Sequence, residues 1–172
     1  MLFNSYAFIF GFLPIVLVVY HSIRNNEKKL LWLTVASYYF YCYWNFKLAF
    51  LIFFSTLIDY VAGYGISHTA DRIVKRRWLI LSLITNLLLL GYFKYCNFFI
   101  QSFSGALHMV GMSVVLPHLD IVLPVGISFY TFQSMSYTID LYRGRVEPVK
   151  NFVHFACYVS MFPQLVAGPI VR

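Results

Sequence analysis

The stretch LPVGISFYTFQSMSYTIDLYRG, residues 123–144, decides the fold. It is as apolar as a membrane span, yet Gly126, Tyr130, Gln133, Tyr137 and Asp140 recur along it at helical spacing. That spacing puts them on one helical face. Phe132, Met135 and Ile139 fall on another, suited to lipid or an apolar neighbour. Hydrocarbon solvates neither amides, phenols nor carboxylates, so the polar stripe must face protein or a water-filled cavity. A stripe of this kind inside an apolar helix is a signal of function.

The rest of the chain has the same character. Its 172 residues are 60% hydrophobic, 20% aromatic and only 11% charged, where a soluble domain carries about a quarter charged residues. There is too little polar surface to cover a soluble globule. The composition predicts an all-α, polytopic helical membrane protein with no soluble domain. A crossing helix needs about 20 apolar residues. Six segments are candidate spans: 2–20, with Pro14 as a kink, 30–44, 48–66, 78–100, 121–142 and 152–170. Pro124, Gly126, Pro163, Gly168 and Pro169 make the last two broken or re-entrant. Such backbone is tolerated only where protein or a cavity surrounds it.

The net charge of +7 does not point to nucleic acid, because the basic residues sit in short loops. Arg24, Lys28 and Lys29, then Arg72, Lys75, Arg76 and Arg77, then Arg143, Arg145 and Lys150 fill the odd loops. Only Lys47, Lys94 and Arg172 fall at the other side. The positive-inside rule makes the odd loops cytoplasmic and the N-terminus external. The cluster Tyr38 to Tyr41 with Tyr43 and Trp44 then reads as an outer aromatic belt. Residues 101–120 read as an outer interfacial helix. No Lys or Arg precedes the first apolar run and no small-residue cleavage site follows it, so a cleavable signal peptide is not expected. Cys42, Cys96 and Cys157 lack metal or redox spacing; Cys42 and Cys96 share the outer side, as isolated thiols or as a disulfide.

Asp59 lies inside the third segment, with Ser55 and Gly63 one turn either side. A buried carboxylate there needs a partner or a bound proton. Arg143 and Arg145 are candidates for Asp59 and Asp140, and a helix-packing hydrogen bond is the alternative. Asn86 needs an interhelical partner. Ser128, Thr131, Ser134, Ser136 and Thr138 can bond to carbonyls one turn back. No G-x-S-x-G elbow, H-E-x-x-H or Walker motif occurs, so serine catalysis, a metal and nucleotide chemistry of those kinds are not expected. His21, His68, His108, His118 and His154 all fall in loops or at interfaces. In FPQLVAGPI, residues 162–170, the prolines and glycine free backbone groups that either line a path or mark a kink.

Four segments together resemble the N-terminal part of the membrane-bound O-acyltransferase (MBOAT) family. They are MLFNSYAFIFGFLPIV, SYYFYCYWNFKLAFLIFFSTLIDYVAG, LPVGISFYTFQSMSYTIDLYRG and FPQLVAGPIVR. The branch they resemble is the one typified by the alginate O-acetyltransferase membrane protein. The resemblance implies that 1–172 is the N-terminal portion of one MBOAT transmembrane domain in the bacterial inner membrane. It implies a full-length acyltransferase that passes acetyl groups toward O-acetylation of an exported polysaccharide. The donor is an acyl thioester such as acetyl-CoA, a substrate from the cytoplasmic side rather than a bound cofactor. The partners implied are membrane lipids and extracytoplasmic acetyltransferases or the polymer itself. The family's hallmark histidine is expected beyond Arg172, so no catalytic residue is assigned here and the chain alone is expected to be an inactive fragment. Tyr130, Gln133, Tyr137, Asp140, Gln164 and Gly168 are candidates to line the substrate path, with Gln133 or an amide near Gly168 holding the acyl oxygen. Asp59, Asn86 and Arg143 are structural polar residues. Teichoic acid, lipid or protein acceptors stay open within the family. A transporter or flippase-like subunit and a non-catalytic scaffold are the other classes that polar, broken helices suit.

Overall fold

The computed structural model describes residues 5–109, 119–121, 123–124 and 126–167. Among them the regular structure is helical, as an all-α membrane protein requires. A π-helical segment, Ala7–Phe12, runs directly into α1 (Leu13–Ser22). Pro14 sits at the start of α1, and the wider turns ahead of it accommodate its ring and its missing N–H. Next come α2 (Asn26–Trp44) and α3 (Phe46–His68), each opened by the same device. Asn25 accepts from the amide of Glu27 at 2.9 Å and Asn45 from that of Lys47 at 3.0 Å. Asp71 caps α4 (Arg72–Leu90) in the same way, accepting from Ile73 at 2.8 Å.

The helix of α4 continues through a π-helical stretch, Gly91–Tyr95, into α5 (Cys96–Met109). The run Arg72–Met109 is 38 residues long, or about 57 Å at 1.5 Å per residue. That exceeds a hydrocarbon core of about 30 Å, so α5 projects past it. The expected interfacial segment 101–120 is helical as far as Met109; residues 110–118, with His118, lie outside the described residues. Among the described residues, Ala49–His68 and Arg72–Met109 are the two helices long and apolar enough to cross a membrane. Ile84, Leu87 and Leu88 on α4, and Phe50 and Phe54 on α3, are exposed large hydrophobes, as lipid-facing sides should be.

The fifth expected span is shorter than its apolar run. Its helix, α6 (Ile127–Tyr142), starts six residues after Ile121, because Gly126 adopts φ 75° and turns the chain. That left-handed conformation suits glycine and starts the helix abruptly. The sixth span is two pieces, α7 (Phe152–Ser160) and α8 (Phe162–Ala167), parted at Met161, whose ψ of 110° is non-helical. The nine residues of α7 cover about 14 Å, half of a bilayer core.

The outer-belt reading of residues 38–44 needs correcting at two positions. Tyr39 and Tyr43 are exposed, but Phe40 and Tyr41 are buried. Phe40, Phe8, Phe12 and Phe162 form one aromatic cluster, with Phe12 and Phe162 5.4 Å apart and Phe40 and Phe162 5.7 Å apart. This cluster fastens the first helix and α8 to α2. Cys42, Cys96 and Cys157 are free thiols.

The basic loops gather at one end of the bundle. There Glu27, at the start of α2, accepts from the His154 ring (Nε2–Oε2 2.8 Å) and from Asn151 (3.3 Å) at the start of α7. At the other end Lys94 donates to Ser128 at 3.1 Å. The bonds from His154 and then Asn151 hold the Glu27 carboxyl below its ordinary value. A lowered acid stabilises the fold above its unfolded pKa, and this is lost as pH falls through the folded value. E27Q is therefore expected to melt lower than the parent at neutral pH, with the gap closing on acidification below the ordinary glutamate range; thermal unfolding against pH checks it.

Between α3 and α4 the contact is tighter. A Cβ on Gly65 would stand 2.5 Å from the Trp78 indole. The ring has no flexible end to yield, so G65A is expected to cost about 1–3 kcal/mol, read as a lower unfolding temperature in detergent.

Candidate functional site

Two faces of α6 carry polar groups, and they do different things. On the first, Thr138 and Ser134 turn toward α3 and α4. Thr138 donates back to the carbonyls of Met135 (3.0 Å) and Ser134 (3.2 Å), the pattern expected of hydroxyls in an apolar helix. Their outer sides join a buried network centred on Asp59. Ser82 donates to Asp59 Oδ1 at 2.6 Å, and the Asn86 amide donates to Oδ1 and Oδ2 at 2.8 and 2.9 Å. Ser82 also reaches Thr138 (3.3 Å), and Ser134 reaches Asn86 Oδ1 (3.4 Å). Every member is buried. The Arg143 or Arg145 partnership expected for Asp59 is thus replaced by neutral donors one helix away. Charged heads stay in water at the basic end, where Arg143 and Arg145 are exposed, while amide and hydroxyl donors enter the core at lower cost.

On the second face, Gln133 is buried and its amide donates to the carbonyl of Tyr158 at 2.8 Å. Tyr158 belongs to the last turn of α7, whose carbonyls lose their helical partners at the Met161 break. Gln133 satisfies one of them, which ties its donor to the backbone rather than to an open path. The amide of Phe162, beyond the break, donates to Ser37 at 3.3 Å. Tyr137 packs on the buried Phe155 ring, 4.8 Å between centroids, and its hydroxyl accepts from the amide of Val149 at 3.1 Å. Asp140 is half-buried and meets Arg145 at 3.9 Å.

Tyr137 and Asp140 open onto a cavity of about 510 Å³ at the basic end. Ser136, Arg145, Val146, Glu147, Val149 and Tyr158 complete its walls. Across Tyr137 and Val149 lies a second, smaller cavity of about 260 Å³, bounded by Tyr60, Gly63, Tyr64, Ser67, His68 and Lys150. The Tyr137–Val149 hydrogen bond is the partition between them. Because the phenol oxygen accepts there, its own proton is left to point elsewhere.

Of the six path candidates, the structure brings Tyr137 and Asp140 to one cavity. Tyr130 is fully buried deeper in the bundle, and its hydroxyl has no hydrogen-bond partner among the described residues. The side-chain amide nitrogen of Gln164 is likewise buried and without a partner among them. Gly168 lies outside the described residues. Residues that sequence reasoning does not offer as site candidates include Tyr41, whose buried hydroxyl also lacks a partner among the described residues, and Glu147 and Tyr158, which line the cavity. Their signal is faint: Glu147 is an isolated acid in a basic loop, and Tyr158 is one tyrosine of 14. Among the described residues no group of three or more His, Cys, Asp or Glu is placed to hold a metal.

Removing Asp59 takes away the shortest acceptors of this network and leaves the Ser82 hydroxyl with Thr138 at 3.3 Å and the Asn86 amide with the Ser82 carbonyl at 3.0 Å. D59A is expected to cost about 1–3 kcal/mol, and D59N distinctly less, since it keeps an acceptor oxygen. Unfolding temperature and membrane accumulation of the two variants measure this.

No family model matches the chain, and no solved structure matches it. Curated proteins do match. The probable alginate O-acetylase AlgI of Pseudomonas aeruginosa is 43% identical over 176 residues, covering 100% of this chain and 33% of that protein. Its namesake in Azotobacter vinelandii is 41% identical over 174 residues, covering 100% and 34%. The peptidoglycan O-acetyltransferase of Helicobacter pylori is 36% identical over 200 residues, covering 100% and 37%. The chain spans about a third of the length of these relatives.

Proposed function

We propose, because the chain belongs to the membrane-bound O-acyltransferase family and matches an N-terminal part of its relatives, that it forms the donor-facing wall of a polysaccharide O-acetyltransferase. The relatives' names carry the reaction class: one set acts on alginate and another on peptidoglycan. Both acceptors are polymers with hydroxyl groups, so O-acetylation of an exported polysaccharide is the shared statement. The observation that carries the site is the 510 Å³ cavity holding Tyr137 and Asp140 at the basic end of α6.

The positive-inside bias makes that end cytoplasmic, which puts the N-terminus outside a bacterial inner membrane. An acyl thioester, with acetyl-CoA as the simplest case, then reaches the cavity from the cytoplasm. Acyl transfer forms a C–O bond from the acceptor hydroxyl to the carbonyl carbon and breaks the C–S bond. The hydroxyl proton passes to a base, and the sulfur leaves as the thiol or thiolate of the carrier. As charge builds on the carbonyl oxygen, a fixed donor lowers the barrier. The Tyr137 hydroxyl is such a donor: its oxygen is held by Val149 and its proton is free to reach the acyl oxygen. Asp140, against Arg145, keeps the mouth of the cavity polar and hydrated for a charged carrier. None of the described histidines is suited to be the base, since His21, His68 and His108 are exposed and His154 is tied to Glu27. The base is assigned to no residue of this chain.

With the whole reading frame expressed in its own cell, Y137F is expected to lower the ester-linked acetyl of the exported polymer about 10²-fold, the scale of losing one such donor. D140N should lower it less. Membrane accumulation, measured in parallel, should stay at the parental level. Parental acetylation in Y137F would remove Tyr137 from the site.

A further inference from the structure

Beside the acyl cavity, and sharing Arg145 with it, is a cleft of about 580 Å³ lined by Ala70, Arg72, Lys75, Tyr142, Arg143 and Arg145. We propose that this cleft is a phosphate-binding site, one that takes the phosphate groups of a ligand docked at the membrane surface. The inference rests on the donor-facing reading above and extends it to the chemistry of the ligand's charged end.

Topology alone does not require this arrangement. The positive-inside rule asks only that basic residues be present in the loop. It does not ask two loops to converge. Here Arg72 and Lys75, from the first turns of α4, face Arg143 and Arg145, from the segment after α6, across one opening. Arg76 and Arg77, in the same basic run, do not line it. Like charges brought together repel unless an anion lies between them. The nearby carboxylates answer little of this. Asp71 accepts the amide of Ile73 as the α4 cap, Asp140 meets Arg145 at 3.9 Å, and Glu147 shares the neighbouring cavity with Arg145 but does not line the cleft.

The chemistry of the donor set fits phosphate better than a carboxylate or a neutral ligand. Three guanidinium groups offer planar, forked donors that match phosphate oxygens two at a time, and Lys75 adds a point charge. The shared Arg145 gives the site its direction. A ligand with phosphate on Arg72, Lys75 and Arg143 can extend past Arg145 into the cavity of Ser136, Tyr137 and Asp140. Two sources carry such phosphate: a soluble phosphorylated carrier of acyl groups, and the headgroup of an anionic lipid at the membrane face.

The test uses the protein from the whole reading frame, in phosphatidylcholine nanodiscs. Coenzyme A and inorganic pyrophosphate are titrated as probes for the soluble source. Exchange into phosphatidylglycerol nanodiscs, with retained phosphatidylglycerol counted after delipidation, probes the lipid. Three proteins are compared with the parent: R72A/K75A, R143A/R145A, and R76A/R77A as a control of equal charge outside the cleft. Both cleft variants are expected to weaken one probe at least tenfold, the control less than twofold. Loss of coenzyme A binding supports a soluble phosphate source, and loss of retained phosphatidylglycerol supports a headgroup. Equal effects in cleft and control variants, or no probe that separates either cleft variant from the parent, would overturn the site. Polymer acetylation is scored separately in cells. If Y137F abolishes it while the cleft fails these binding tests, the phosphate site falls and the acyl cavity stands. If the cleft binds phosphate but Y137F acetylates normally, the reverse holds.

Discussion

A carboxylate inside an apolar bundle has to be surrounded by donors, and the way Asp59 is surrounded fixes three helices at once. Asn86 and Ser82 come from one side of α4, and Ser134 and Thr138 approach them from α6. Each helix can rotate only by breaking hydrogen bonds that no solvent would replace. Hydrophobic contact could not impose this register, since lipid tails are as apolar as a leucine face. The close approach of α3 to its neighbours follows from the same alignment. Gly65 admits the Trp78 indole and Gly63 admits the Tyr137 ring, where a Cβ would stand at 3.2 Å.

The same requirement governs the break at Met161. Ending α7 in mid-bundle leaves carbonyls and an amide without helical partners. Gln133 takes the Tyr158 carbonyl, and Ser37 accepts the Phe162 amide. The broken backbone is therefore held by side chains from α6 and α2, and the Phe8–Phe12–Phe40–Phe162 aromatic cluster closes over α8. Broken helices survive inside apolar surroundings only with such help.

The helical class and the positions of the breaks are legible in the sequence because they depend on local chemistry. Gly126 and the prolines mark them whatever the tertiary packing. The stripe at 126, 130, 133, 137 and 140 is also legible, as a period. What each member does is not. Gln133 and Tyr137 differ by one turn, yet one meets the Tyr158 carbonyl in the last turn of α7, while the other packs on Phe155, accepts from Val149 and walls a cavity. Asp59 is visible as an anomaly, but its partners lie 23 and 27 residues away on α4, and spacing within one helix says nothing about the face its neighbour presents. Tyr41 escapes a sequence reading for a related reason. In the run Tyr38 to Trp44 every residue but Cys42 is aromatic, so composition gives no inward face. Only the packing of Phe162 shows that residues 40 and 41 point to the core while 39 and 43 point out.

The two polar faces of α6 explain why the cavity is where it is. Along the face toward α3 and α4 the hydroxyls and amides are answered within the bundle, so that side is closed and rigid. Along the face toward α7 the answers stop at Tyr158. Below it, toward the basic end, the chain leaves α6 at Gly144, whose φ of 67° turns it back, and returns as a strap that touches Tyr137 through Val149. Among the described residues no helix fills the space under that strap, and its walls are polar because α6 keeps its stripe to the last turn. A rigid helix on one side and, on the other, a strap held through Arg145 to Asp140 and through Val149 to Tyr137 is an arrangement suited to admitting a ligand without disturbing the network around Asp59. The polar stripe therefore serves folding at its deep end and opens onto a cavity only in its last two turns.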